Sequence, residues 1–160
     1  MAEIVLARVD SRLVHGQVVT KWVNQVMADR IVIVDNSLVS DPFMIQIYEM
    51  SAPPGMKLAV MNESDAVAAW KQDQLGTGKV LLLFPSIPVL GRVVDAGLEL
   101  KRVQVGGLGG GPQRKVVYKN ITLDQADYAA LTAMQDKGVE IIFQTIPEDS
   151  PVSFKSIKKV

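Results

Sequence analysis

The sequence predicts an α/β fold in which one open, largely parallel β-sheet carries helices on both faces and residues 1–160 form one domain. Short apolar runs alternate with amphipathic helical segments along the whole chain. Several of these runs are apolar at every position, as is typical of strands buried on both faces of a parallel sheet. The 160 residues, 48% of them hydrophobic, suffice for one core but not for two.

The first half of the chain alternates strand and helix three times. Ser40-Asp41-Pro42 begins the second helix, because a capping side chain is followed by a proline in the first turn. Pro53-Pro54-Gly55 ends that helix. The predicted elements are strand Ile4–Val9, helix Gln17–Met27, strand Ile31–Asp35, a helix from Pro42 to about Met50, strand Lys57–Met61 and helix Ser64–Lys71.

The second half continues this alternation. Ser86 followed by Pro88 begins one helix, Asp124 caps another, and Gly138 ends it. The predicted elements are strand Lys79–Phe84, the helix opened by Ser86, short strands Arg102–Val105 and Lys115–Tyr118, helix Asp124–Lys137, strand Val139–Phe143, and an edge strand or helical turn within Val152–Ile157.

The carboxyl ends of the parallel strands are expected at one edge of the sheet, because crossover connections are right-handed. Ligand sites of open α/β sheets collect at that edge, near the point where the strand order reverses. The loops expected there are 8–16, 35–40, 61–64, 85–87, 106–113 and 144–148.

Charge and composition exclude several classes of function. Lys plus Arg equals Asp plus Glu at 17 each, so the bulk positive charge of a nucleic-acid binder is absent. There is no Cys and only one His, so we expect no disulfide, no thiolate chemistry and no metal site. The longest apolar run, Val80–Phe84, is about a quarter of a membrane span. We therefore expect a cytoplasmic protein.

The first loop, RVDSRLVHGQ, concentrates groups suited to phosphoryl transfer. An imidazole is largely neutral at cell pH, so His15 offers a nucleophilic ring nitrogen. Arg8 and Arg12 can hold phosphate oxygens through several donors each. Asp10 can bond an arginine or orient the ring. Phosphoryl transfer requires mainly positioning and charge neutralisation from a protein.

Four weaker candidates for phosphate contact lie at the same edge. Gly16 lets the backbone approach closely, and Gln17 begins a helix whose free N–H groups attract an anion. Ser86 follows a strand, where it is equally suited to cap a helix. Gly107 belongs to a glycine-rich run, 106–111, that fits no dinucleotide-binding register and is interpreted as a mobile loop, with a phosphate-cradling nest as the alternative.

The residues alone leave three functions open. A lone His near a strand end is more often a surface or capping residue than a catalyst, so a non-catalytic anion-binding or regulatory module competes with phosphoryl transfer through His15. A structural subunit of a larger assembly is the third. If the chain is such a structural subunit, His15 can be replaced without loss of the activity of the assembly.

The segment ARVDSRLVHGQVVTKWV resembles the phosphorylation-site segment of IIB subunits of the mannose/fructose/sorbose family of the bacterial phosphotransferase system. The family signature R-[IV]-D-x-R-[LI]-[IV]-H-G-Q is matched from Arg8 through Gln17. Agreement elsewhere is looser but in family order. It comprises IVIVDN at 31–36, KVLLLF at 79–84, VQVGG at 103–107 and GVEIIFQTIP at 138–147.

The resemblance implies about seven largely parallel strands with the His15 loop at their carboxyl edge. It implies that His15, through Nδ1, accepts a phosphoryl group from a IIA phosphohistidine. The group then passes to a sugar of the mannose, fructose, sorbose or N-acetylgalactosamine class that enters through membrane subunits IIC and IID. It also implies association with the inner membrane face through IIC and IID, a possible homodimer, and neither nucleotide nor metal as cofactor.

Residue by residue, Arg8, Asp10, Arg12 and His15 match the family signature, with Arg12 expected to neutralise most of the phosphate charge. The loop after the fifth strand departs from the family pattern, because no Asn, Met, His or aromatic residue follows its first glycine. Few side-chain contacts are therefore expected from it. A transient partner surface requires exposed apolar residues near His15, and Leu13 and Val14 are the candidates.

Overall fold

The predicted alternation of strands and helices is present in the computed structural model, which describes residues 1–160. The strands are β1 (Glu3–Asp10), β2 (Arg30–Val34), β3 (Lys57–Met61), β4 (Lys79–Phe84), β5 (Arg102–Gly107), β6 (Lys115–Tyr118), β7 (Ile121–Leu123), β8 (Glu140–Phe143) and β9 (Val152–Ser153). The helices are α1 (Gly16–Val26), α2 (Pro42–Ser51), α3 (Glu63–Asp73), α4 (Ile87–Asp95) and α5 (Gln125–Asp136), with short 3₁₀ turns at Leu38–Ser40 and Phe154–Ser156.

Seven strands form one sheet in the order β3-β2-β4-β1-β5-β8-β9. All neighbours are parallel except β8 and β9, which are antiparallel. Strands β6 and β7 form a separate antiparallel hairpin. The prediction of an α/β fold with about seven largely parallel strands is confirmed.

Alternate residues of the central strands enter two different cores. In β4, Leu81 and Leu83 pack with α1 on one face of the sheet, whereas Val80, Leu82 and Phe84 pack with α3, α4 and α5 on the other. Successive side chains of a strand point to opposite faces, so a strand covered on both sides is apolar throughout. This burial on both faces explains why Val80–Phe84 is apolar at every position.

The strand order reverses between β1 and β4, which are neighbours in the sheet. Their residues pair from Glu3 with Lys79 to Val9 with Phe84, with one shift of register between Ile4 and Leu6. The chain leaves β1 through α1 toward β2, but leaves β4 through α4 toward β5 on the other side. The two connections diverge at the carboxyl edge of the sheet, which is the place where open α/β sheets bind their ligands. The His15 loop follows β1 there, and Ser86 follows β4.

Local caps begin the helices where the sequence predicts them. The side chains of Asp41, Ser86 and Asp124 each accept a hydrogen bond from a backbone N–H in the first turn of α2, α4 and α5. Gly138 follows α5 with φ +95°, a conformation that glycine adopts without strain. None of the five helices has the length and apolarity needed to cross a bilayer.

Two parts of the fold differ from or refine the prediction. Strand β7 was not predicted, because three residues carry too little pattern, and it pairs with β6 across a turn in which Lys119 has φ +42°. The tail contains both of the alternatives left open, an edge strand at β9 and a 3₁₀ turn after it. Phe154 fixes this tail by packing against Tyr128 and Phe143.

Candidate functional site

The loop between β1 and α1 is a tight turn tied to the end of β5. Leu13 donates its backbone N–H to the Asp10 carbonyl at 3.0 Å, and Ser11 donates to the Gly107 carbonyl at 2.9 Å. Leu13 and Gly16 have φ of +55° and +49°. Glycine suits position 16 because of this backbone conformation rather than for space, since a Cβ there would meet no atom within 4 Å.

The two apolar residues of the loop are buried. Leu13 and Val14 are 5% and 2% exposed and belong to the same core as Leu38. The prediction that they form an exposed partner surface is wrong, because their burial anchors the loop to the sheet. The exposed apolar side chains that follow β2 at this edge are Val39 and Phe43, at 36% and 71%.

His15 is the residue that precedes the first turn of α1, and its side chain is half-buried. No side chain caps this helix, and its first turn contains no carboxylate. The first N–H groups of a helix have no partner within it. The start of α1 can therefore bind an anion next to the imidazole.

The His15 ring is fixed by the loop backbone. Its Nδ1 lies 3.2 Å from the Leu13 carbonyl oxygen, whereas Nε2 is shielded from solvent and has no hydrogen-bond partner. A carbonyl only accepts, so Nδ1 carries the proton in this arrangement. For Nδ1 to act as a nucleophile, this bond must break and the proton must be carried on Nε2.

Arg12 provides the accessible positive charge of the loop. Its side chain is 57% exposed, and its Nε lies 3.5 Å from Oδ1 of Asp10. The backbone N–H of Arg12 donates to the same oxygen at 3.0 Å. The two Nη groups of Arg12 make no hydrogen bond within the protein, so both remain available to phosphoryl oxygens.

Arg8 has a different role from the one expected. It is 3% exposed, and Nη1 donates to Oε1 of Gln104 and to the Gln144 carbonyl, the latter at 3.1 Å. Nη2 donates to Oδ2 of Asp10 at 3.3 Å and to the Thr145 carbonyl at 2.9 Å. Burial lowers the pKa of Arg8 to about 10, although Asp10 opposes that shift. The expectation that Arg8 holds phosphate oxygens is wrong; it holds Asp10.

Gly106 and Gly107 leave room for the Arg8–Asp10 pair. A Cβ at Gly106 would overlap the Arg8 guanidinium, and one at Gly107 would lie 2.9 Å from Oδ1 of Asp10. Gly107 is buried, and its carbonyl accepts the N–H of Ser11. The structure therefore gives Gly107 a packing role, and its phosphate contact stays a prediction.

The start of the glycine-rich run is anchored. Gly106 and Gly107 belong to β5, and Thr122 donates its N–H to the Leu108 carbonyl at 3.1 Å and its hydroxyl to the Gly109 carbonyl at 2.6 Å. Arg114 in turn donates to Oγ1 of Thr122 at 2.9 Å. The interpretation of the whole run as a mobile loop is wrong for this part, because β7 fastens it.

We expect Gly106→Ala to lower the free energy of unfolding by about 2 kcal/mol, because its Cβ would displace a buried guanidinium whose two Nη groups make four hydrogen bonds. Gly110→Ala is the matched control, since a Cβ at Gly110 meets nothing within 4 Å, and it should change stability by less than about 0.5 kcal/mol. Chemical denaturation of both variants measures the difference. Equal stabilities would mean that Arg8 does not require the space at Gly106.

The remaining predicted residues lie at the starts of α1 and α4. Ser86 is half-buried and accepts the Val89 N–H at 3.4 Å, so it caps α4 while its own proton stays available. Gly16 and Gln17 are exposed at the start of α1. No three His, Cys, Asp or Glu side chains are grouped to hold a metal ion.

Sequence reasoning missed the buried polar residues beneath the loop. Gln104 is 2% exposed, and Trp22 lies with its ring centroid 5.3 Å from Cζ of Arg8 and donates Nε1–H to the Thr145 carbonyl at 3.0 Å. A signal for Gln104 was present, since one amide interrupts the otherwise apolar strand RVQVGG. Such a residue requires a buried hydrogen-bond partner.

Comparison with known proteins shows similarity along almost the whole chain. Residues 4–160 match the family model described as "PTS system sorbose subfamily IIB component". The sorbose-specific EIIB component of Lacticaseibacillus casei is 32% identical, over 91% of this chain and 89% of that protein. The crystal structure of manxB from Thermoanaerobacter tengcongensis has a TM-score of 0.91 and 37% identity, over 98% of this chain and 95% of the other.

A further relative is about twice as long as the region it shares. The mannose-specific EIIAB component of Escherichia coli strain K12 is 27% identical over 90% of this chain, which corresponds to 45% of that protein. The name EIIAB denotes an A part as well as a B part.

Proposed function

Because this chain belongs to the sorbose subfamily of PTS system IIB components, we propose that His15 is the residue that carries the phosphoryl group. The chain is a phosphotransfer subunit of a sugar phosphotransferase system, and such components are phosphotransferases. The family implies a IIA donor and IIC and IID membrane partners, and the EIIAB relative agrees with a IIA donor.

The single observation that carries the proposal is the pairing of one imidazole with two anion-attracting groups on one turn. Arg12, with its free Nη groups, precedes His15 by three residues in the same turn, and the uncapped start of α1 follows His15 directly. A phosphoryl group carries negative charge on three oxygens, and such transfer depends mainly on positioning and charge neutralisation. The turn offers both without a cofactor.

In the proposed step, the lone pair of His15 Nδ1 attacks the phosphorus of a IIA phosphohistidine. The donor ring reacts with its other nitrogen protonated. The N–P bond to the donor breaks as the new N–P bond forms, and the donor keeps the electron pair and leaves as a neutral imidazole. The His15 proton resides on Nε2 throughout, which requires release of the Leu13 carbonyl. In the second transfer a sugar hydroxyl oxygen attacks the phosphorus, and the O–P bond forms as the His15 N–P bond breaks. His15 keeps the electron pair and returns to a neutral imidazole, and the hydroxyl proton is released to solvent.

Each neighbouring residue has a distinct proposed role. Arg12 binds the phosphoryl oxygens through its Nη groups, and Asp10 fixes Arg12 from below. Gly16 and Gln17 offer backbone N–H groups at the start of α1, and Ser86 offers its hydroxyl proton. Oriented donors that are already in place stabilise developing charge without reorganising during the reaction.

The finer expectations from the resemblance are also proposals. The sugar is of the mannose, fructose, sorbose or N-acetylgalactosamine class, and IIC and IID hold the protein at the inner face of the membrane. A homodimer would cover the exposed apolar side chains of α2, Phe43, Ile47 and Met50, which lie on one helix face. Light scattering at increasing concentration tests the dimer, and a constant monomer mass contradicts it.

Incubation with phosphoenolpyruvate, the general phosphotransfer proteins and a cognate IIA tests the proposed activity. We expect the intact protein to gain the mass of one phosphoryl group, and to lose it when membranes containing IIC, IID and the sugar are added. Omission of IIA is the control and should prevent the gain. A protein that gains no mass with complete components would favour the alternative, a non-catalytic anion-binding module.

A further inference from the structure

We propose that Gln104 is a positioning residue for phosphotransfer, acting on the His15 loop through Arg8 and Asp10. The inference rests on the proposed function of His15, and it adds a residue from outside the family signature. Gln104 lies in β5, whereas all the signature residues lie in β1, the following turn and the start of α1.

Two partners fix the orientation of the Gln104 amide. Its Oε1 accepts from Nη1 of Arg8, and its Nε2 donates to Oε1 of Gln144 at 3.3 Å. Arg8 can only donate, so it requires the oxygen of the amide on its side. A methionine at this position would satisfy neither partner, and a glutamate would satisfy Arg8 alone.

Gln104 controls where the Arg8 guanidinium lies. The fork of Arg8 is planar, and its four Nη hydrogen bonds go to four different groups. Removal of the Gln104 acceptor leaves one buried donor unsatisfied, which is costly. The guanidinium would then shift to regain a partner. The bond to Asp10 is the one that such a shift would break most readily, because at 3.3 Å it is the longest of the four.

Asp10 transmits such a shift to the reacting edge. It is fully buried, its Oδ2 depends on Arg8, and its Oδ1 accepts the backbone N–H of Arg12 at 3.0 Å. A buried carboxylate that loses its cation is strongly destabilised. Any movement of Asp10 therefore moves the backbone of Arg12, the residue that carries the free guanidinium and precedes His15 by three positions.

The position of this network beneath the loop argues for a role in the site rather than in folding alone. Val103 and Val105, on either side of Gln104, are fully buried in the opposite core. An apolar pair in place of Gln104 and Arg8 would fill the same volume without desolvating a charge. Instead, the polar network joins β1, β5, α1 and the segment after β8, and Asp10 connects it to the turn that bears His15.

The test compares Gln104→Met with Gln104→Glu, each as the full-length chain. We expect Gln104→Met to lower kcat for phosphorylation by IIA about tenfold, since small misplacements of catalytic groups cost that much or more. KM for the donor should stay within about twofold, because the docking surface is untouched. Gln104→Glu retains an acceptor for Arg8 and should recover kcat to within about threefold of the original protein.

Val103→Ala is the matched control, because it weakens β5 from the opposite core without touching the network. It should retain kcat per folded molecule, measured after circular dichroism confirms the folded fraction. Trp22 fluorescence in a Trp70→Phe background should shift in Gln104→Met but not in Val103→Ala, since Trp22 stacks on Arg8.

If Gln104→Met does not fold, Gln144→Met removes the partner that orients the amide and should lower kcat about threefold.

Three results would overturn the role of Gln104: an unchanged kcat in Gln104→Met, an equal loss in Val103→Ala, or no recovery in Gln104→Glu. In the event that Gln104→Met fails to fold, an unchanged kcat in Gln144→Met would overturn it as well. Peptide mapping of the phosphorylated protein separates this inference from the proposed function. Phosphate found outside His15 in the unaltered protein refutes the proposed function, whereas phosphate on His15 with a normal rate in Gln104→Met refutes only the positioning role.

Discussion

Replacing His15 with Gln is expected to abolish phosphate incorporation from a phosphorylated IIA donor. Glutamine keeps a polar side chain of similar length but has no lone pair on nitrogen that can attack phosphorus. The chain has no second His and no Cys, so no other imidazole and no thiol can replace it. Transfer of radiolabelled phosphate, separated by gel electrophoresis, measures the loss.

The control for His15→Gln must separate chemistry from folding, because the ring is half-buried and bonded to the Leu13 carbonyl. Lys21→Gln serves, since Lys21 lies in α1 and makes an exposed ion pair with Glu148 at 3.1 Å. It should accept phosphate at the normal rate. Label that enters His15→Gln at the normal level would show that another residue carries the phosphoryl group.

Replacing Arg12 with Ala is expected to slow phosphotransfer by about 100-fold, because removal of one preorganised donor to a developing oxyanion typically costs 10² to 10³ in rate. The protein should remain folded. The Arg12 side chain is 57% exposed and its contact with Asp10 is 3.5 Å, so its loss should change stability by less than about 1 kcal/mol. Rapid-quench measurement of His15 phosphorylation and thermal unfolding test the two parts.

Two further variants test whether the effect of Arg12 depends on the geometry of its guanidinium and on its position near His15. Arg12→Lys keeps the charge but loses the planar fork, so its rate should lie between those of Arg12→Ala and the original protein. Arg102→Ala removes an exposed arginine at the amino end of β5, far along the sheet from the His15 edge, and should be neutral. An unchanged rate in Arg12→Ala would remove Arg12 from the mechanism.

The sheet and the location of the site could be predicted because they follow from local pattern. Strands that are apolar over a continuous run, such as Val80–Phe84, can be stable only between two helical layers. That arrangement, together with right-handed crossovers, places the end of β1 at the ligand-binding edge. Helix starts at Asp41 and Asp124 depended only on residues within the first turn.

The roles of the individual loop residues could not be predicted in the same way, because they depend on strands distant in sequence. Arg8 and Arg12 look equivalent in the signature, but Arg8 precedes Asp10 by two residues in a strand and shares its buried face. Its partners, Gln104 and the Thr145 carbonyl, come from β5 and from the chain after β8. Only the assembled sheet shows which arginine is free.

The burial of Leu13 depended on a backbone conformation that the sequence did not indicate. Leucine is uncommon at positive φ, and the turn it makes at φ +55° places Leu13 and Val14 in the core. Gly106 had a similar dependence, because its lack of a side chain matters only where the Arg8 guanidinium crosses β5. Tertiary contacts therefore determine both the burial of Leu13 and the need for glycine at position 106.

The most direct measurement locates the phosphoryl group on the protein after reaction with a phosphorylated IIA donor. Peptide mapping under alkaline conditions, which preserve phosphohistidine, identifies the residue, and a ¹H–¹⁵N spectrum of the imidazole identifies the nitrogen. We expect one phosphoryl group per chain, on Nδ1 of His15. A phosphoryl group on any other residue, or none after complete conversion of the donor, would contradict the account.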